Sequence, residues 1–200
     1  MRAAALASLA EILSRQPTIA SKPPPPLESA LLEAAHDPDA QVRSVAAFAL
    51  GLIDGETVAA TLENLLHDAD RLVRYNAAAA LARRGDRRAV PVLCDMLRHS
   101  GGLTHSRQPA TSEQDAPTDA AFDSASLQTL VTANALRAVE LLLDAQKAPS
   151  DDNDFPSPAQ PLTEADREEL RKALETAAKG QDGETAERAR RLLGRLGSRH

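Results

Sequence analysis

Two hundred residues, 42% hydrophobic and 26% charged, suffice for one modest core; aromatics make up only 2% and tryptophan is absent, so small residues must pack closely. A net charge of −6 argues against a general nucleic-acid footprint, and the scarcity of aromatics argues against a platform for stacking bases or a flat cofactor. The single cysteine, Cys94, excludes an internal disulfide and a cysteine-built zinc site. It fits a reducing compartment, from which we expect a cytoplasmic protein, and no apolar run approaches the roughly 20 residues of a membrane span.

From Met1 to Ser14, Leu6, Leu9, Ala10 and Leu13 recur at helical spacing. Glu11 interrupts the short apolar stretch that a secretion signal would need, so residues 1–14 read as a single helix, half of a repeat. Residues 15–25 are a proline-rich linker: the run Pro23 to Pro26 lacks backbone donors, and its last member suits the first turn of the next helix.

Repeated helices fill residues 26–98. Leu27 to Ala35 forms the first, and Asp39 caps the second, Ala40 to Ile53, which Asp54-Gly55 stops. Glu56 to Leu66 follows, then Asp70 as the cap of Leu72 to Arg84, closed by Gly85. Asp86 opens a third unit whose first helix runs from Arg87 to Arg98, with Pro91 in its first turn. Residues 99–123, rich in Ser, Thr, Pro and Gly without an apolar stripe, read as a disordered insertion. The unit's second helix resumes over 124–147. A second linker, acidic and proline-containing, covers 148–161. A last capping unit occupies 162–200, opened by Thr163 and Asp166 as a capping box.

The units are copies of one another. A spacing of 31 carries His36, Asp37, Asp39, Val42, Arg43, Ala46 and Leu50 onto His67, Asp68, Asp70, Val73, Arg74, Ala77 and Leu81. A spacing of 41 relates Arg2, Ala5 and Leu9 to Arg43, Ala46 and Leu50, and one of 58 carries Val73, Asn76 and Ala77 onto Val131, Asn134 and Ala135. Each unit cannot bury its apolar face alone and must stack on its neighbours, which predicts an all-α fold, an α-solenoid of about four helical hairpins.

The motif Asp-Pro-Asp-Ala-Gln-Val-Arg at 37–43, followed by Ala46, Leu50 and Gly51, and the run from Gly85 to Leu93 resemble HEAT repeats of the short, bilin-lyase-like (PBS lyase HEAT-like) kind. The last unit departs from the pattern, with Ala186 in the arginine position. The resemblance implies a right-handed HEAT/armadillo-like superhelix whose second helices line a concave face. Such repeats occur in scaffolds, in chromophore-attachment factors and in a few enzymes, and fold analogy does not transfer activity.

The candidate chemistry reads mostly as stitching. The His36-Asp37 and His67-Asp68 pairs sit at turns one unit apart, where His suits a helix C-terminus and Asp a cap, whereas a metal site converges its ligands. Arg43 and Arg74 match the internal ladder arginines of such repeats, with Asp39 and Asp70 available as acceptors. Asn76 and Asn134 suit inter-helix hydrogen bonds. Cys94, aligned with Glu63, is expected to be partly exposed, with no nominated base beside it. The last helix carries Arg188, Arg190, Arg191, Arg195 and Arg199, a polar end cap.

Off the buried stripe of the second helices lie Gln41, Ser44, Ala47 and Phe48, then Leu72, Tyr75, Ala78, Ala79 and Arg83, then Ala133, Arg137 and Glu140. Of these we take Gln41, Ser44, Phe48, Tyr75, Arg83 and Arg137 as the candidate binding face, with the two aromatics as hot spots. The expectation is a non-enzymatic scaffold for a protein or peptide partner, with no catalytic residue, cofactor or metal. The alternatives are chromophore attachment and, behind it, nucleic-acid binding through the last helix.

Overall fold

The computed structural model describes residues 2–15, 23–53, 55–98, 124–147, 160–180 and 183–197. The expected insertion at 99–123, most of the 148–161 linker and residues 16–22 of the first linker lie outside them. The helices are α1 (Arg2–Arg15), α2 (Pro25–Ala34), α3 (Ala40–Leu50), α4 (Glu56–Leu65), α5 (Arg71–Arg83), α6 (Val90–Arg98), α7 (Ser124–Ala145), α8 (Glu164–Ala177) and α9 (Gly183–Gly197). No helix among the described residues is long and apolar enough to cross a membrane.

The second helices form one continuous layer, α1 on α3, α3 on α5, α5 on α7 and α7 on α9. The first helices cover one side of it, α2 on α3, α4 on α5, α6 on α5 and α7, and α8 on α6 and α9. This is an α-solenoid of stacked hairpins. In its first half α3 packs directly on α5, while α2, α4 and α6 each pack chiefly on the second helices.

Alanine makes the close approach possible. Ala46, Ala47, Ala49, Ala77, Ala78 and Ala80 of the second helices are all buried. Gly51 continues the contact: a Cβ there would lie 2.5 Å from the Cβ of Ala80. The expected stripes, including Val58, Leu62, Leu65 and Leu66 on α4 and Leu170, Ala173, Leu174 and Ala177 on α8, are buried as the periodicity requires.

The caps follow the sequence. Asp39 accepts from the Gln41 amide at 2.8 Å, and Asp70 accepts from Leu72 and Val73 at 2.8 and 3.3 Å. Thr163 and Asp166 close a reciprocal capping box, and Pro25 and Pro26 occupy the first turn of α2, where no amide is needed. Gly85 adopts φ 72°, the left-handed conformation that lets the Asp86 amide turn back to the Leu81 carbonyl.

Three expectations are corrected. The first helix of unit three is not continuous from Arg87: Asp86 caps a single 3-10 turn, Arg87–Ala89, and the α-helix begins at Val90, just ahead of Pro91, whose missing amide belongs in a first turn. The α3 helix ends at Leu50 rather than Ile53, with Gly51 as its C-cap. Cys94 is fully buried, not partly exposed, because α8 packs onto α6 and covers a position that faces outward in the preceding unit.

Candidate functional site

The turns between helices are joined by an arginine ladder. Arg43 donates through Nη1 to the carbonyls of Asp37 and Pro38 in its own turn, at 2.8 and 3.0 Å. Its other edge grips Asp68 of the next turn, Nε to Oδ2 at 2.8 Å and Nη2 to Oδ1 at 2.9 Å. The ladder carboxylate is therefore Asp68, not Asp39 or Asp70, whose oxygens are occupied as helix caps. The paired guanidinium outweighs burial and holds Asp68 below the usual carboxylate range. His36 is stitching as well, its Nδ1 lying 2.9 Å from the Leu32 carbonyl at the end of α2.

Among the candidate residues of the second helices, Ser44 is engaged: Asn76 donates to its hydroxyl at 2.9 Å and to its carbonyl at 3.1 Å, tying α5 to α3. Asn134, the copy of Asn76 on α7, is instead exposed. Tyr75 does not belong to the binding face. It is buried, and its hydroxyl reaches Asp95 on α6 at 3.2 Å, because its side chain points toward the first helices. Ala47 and Ala78 are also buried, as the contacts between α3, α5 and α7 take up both flanks of each second helix.

Phe48, Arg83 and Arg137 do come together, across α3, α5 and α7. Phe48 is 41% exposed, unusual for so large an apolar side chain in a chain with so few aromatics. The Arg83 guanidinium lies over its ring, 5.9 Å from the centroid, while Nη1 donates to the Gly51 carbonyl at 2.9 Å. Burial, then the nearby charges of Arg137 and Arg84, lower the pKa of Arg83. Arg83 nonetheless remains charged, and among the described residues neither it nor Arg137 has a carboxylate in ion-pair contact. Gln41 is exposed two turns earlier on α3. Leu72 and Leu130, 42% and 53% exposed, extend the same face. Leu130 was not among the sequence candidates, although the 58-residue spacing carries Leu72 onto it.

The last helix is largely neutralised. Arg188 donates to Glu140 and Arg195 to Asp144, both at 2.5 Å, and Arg190 reaches the Ala178 carbonyl at 3.1 Å. Arg191 is exposed, and Arg199 lies outside the described residues. Glu140 is thus held by α9 rather than offered to a partner.

Residues 28–104 match the family model of HEAT repeats, a stretch that takes in the first two hairpins and the opening of the third unit. No curated protein matches the chain.

Proposed function

We propose that this chain, with HEAT repeats over residues 28–104, is a non-enzymatic scaffold that binds a protein or peptide segment along its second helices. HEAT repeats generally serve as interaction surfaces. The observation that carries the reading is the row Phe48–Arg83–Arg137, an exposed ring stacked under one guanidinium and followed by a second cation. Aromatic and arginine anchors of this kind dominate interface energetics. With Leu72 and Leu130 on the same face, the matching partner carries apolar residues next to carboxylates. We place its working compartment in the cytoplasm, a reading supported by the chain's single cysteine, which is free and buried.

The test is affinity capture with the full chain against the F48A/R137E double variant, with circular dichroism to establish equal helicity. Phe48 and Arg137 are both exposed, so the changes spare the core. Partners recovered by the parent chain and lost by the variant support the reading. Undiminished recovery removes this face from binding. The alternative of chromophore attachment, which the turn motif at 37–43 suggests through its bilin-lyase-like form, predicts visible absorbance on purification.

A further inference from the structure

The arginine ladder has a second rung that differs from the first. Arg74 repeats the inner half of the Arg43 arrangement: its Nη1 donates to the carbonyls of Asp68 and Ala69 at 2.7 and 3.0 Å, as Arg43 does to Asp37 and Pro38. The outer half is different. Asp37 and Asp68 are 31 residues apart, and one further step of 31 reaches His99, so the ladder acid is replaced in the sequence. Among the described residues no carboxylate forms an ion pair with Arg74, and its Nε and Nη2 donate to none of them.

Arg74 lines a cleft of about 540 Å³ between α4 and α6, together with Glu63, His67 and Arg88 and the apolar Leu66, Pro91 and Val92. The other charged groups there are engaged: Arg88 pairs with Glu63 and Asp86, and Asp95 accepts from Tyr75. Arg74 thus lines a partly apolar cleft, and the guanidinium edge that in Arg43 binds an aspartate in two parallel hydrogen bonds meets no carboxylate among the described residues.

We propose that the Nε/Nη2 edge of Arg74 is a receptor for the side-chain carboxylate of an acidic residue in a protein partner docked in the cleft between α4 and α6. Asp68 on Arg43 is the internal template for that contact, since bidentate pairing is what this fixed fork recognises best. The flanking Leu66, Pro91 and Val92 take an apolar neighbour of the acid. The site lies among the first helices and is independent of the Phe48 face.

The test follows the arginine Nε–Hε resonances of the full chain by NMR, with Arg74 assigned from the R74K variant. N-acetyl-aspartate methylamide is the probe and the asparagine analogue the control. The expected result is a saturable shift of the Arg74 signal with the aspartate compound alone, no movement of Arg43, and loss of the response in R74K at unchanged helicity. An unmoved Arg74 signal overturns the proposal, as does an equal response to the asparagine compound. An Arg74 signal already matching that of Arg43 before any addition also overturns it, since the chain itself would then supply the acid.

Discussion

Arg43 and Asp68 are 25 residues apart in sequence and share two parallel hydrogen bonds, 2.8 and 2.9 Å, across the boundary between the first two hairpins. Asp68 also accepts from the Asp70 amide at 2.8 Å, so one carboxylate joins two units and shapes the turn before α5. The pair is largely shielded, with side-chain exposures of 17% and 9%. Asp68→Asn keeps the shape, removes the charge and sets an amide against the guanidinium. The expected loss is about 2–3 kcal/mol, between the limits for exposed and buried pairs, read from urea unfolding.

The same pair has a pH signature. Asp68 in the fold is held below its ordinary range, chiefly by Arg43. Its contribution is therefore complete above the unfolded carboxylate value of about 3.9 and is lost as pH falls through the lower folded value. Burial opposes the charge on Asp166, but the Thr163 hydroxyl and amide and Arg87 outweigh it, so Asp166 behaves alike. The stability gap between parent and D68N should be constant from neutral pH to about 4 and shrink below it. A gap that persists at pH 2 contradicts this.

Gly51 is a steric glycine, not a conformational one. Its backbone is ordinary right-handed helix, φ −67°, and a Cβ would meet the Cβ of Ala80 at 2.5 Å. Gly51→Ala should cost about 1–3 kcal/mol by overpacking. The relieving change Ala80→Gly, unfavourable by itself, should recover part of that loss in the double variant. Simple additivity of the two would show that the helices do not meet there.

Tyr75 and Phe48 should separate cleanly. Tyr75→Phe removes one buried hydrogen bond to Asp95, worth about 1 kcal/mol, and leaves partner capture intact; Phe48→Ala weakens capture at little cost in stability. Burial, and then the charge of Asp95, push the Tyr75 phenol up to about 12. The fold thus favours the neutral phenol: that stability is present below the unfolded value of about 10 and is lost as pH rises toward the folded one. Ultraviolet titration of the chain's one tyrosine reads the shift directly.

Cys94 should be silent in the native protein. Burial, then the charge of Glu169, push its thiol up to about 12, and no part of it is accessible. A thiol-specific disulfide reagent should react only in step with global unfolding. Prompt reaction in the native state would mean that α8 does not stay docked on α6.

The architecture is legible in the chain's own pattern. The 31-residue recurrence, the Asp caps, the glycine at the end of α5 and the helical stripes are local signals, and hairpins with matching faces have one way to stack. The structural role of Arg43 followed from its recurrence as Arg74, whereas recurrence misled for Asn134, the exposed copy of Asn76. The direction of each non-stripe residue emerges only from the packing. Tyr75 and Phe48 both fall off the simplest apolar stripe, yet a second helix has two buried flanks besides the side facing its partner, and only the packing of α3, α5 and α7 showed that one ring points inward and the other out. The acceptor of Arg43 was likewise settled by the offset between adjacent turns, which put Asp68 rather than either capping aspartate within reach. Cys94 was covered by a helix some 70 residues further along the chain, beyond the reach of any local periodicity.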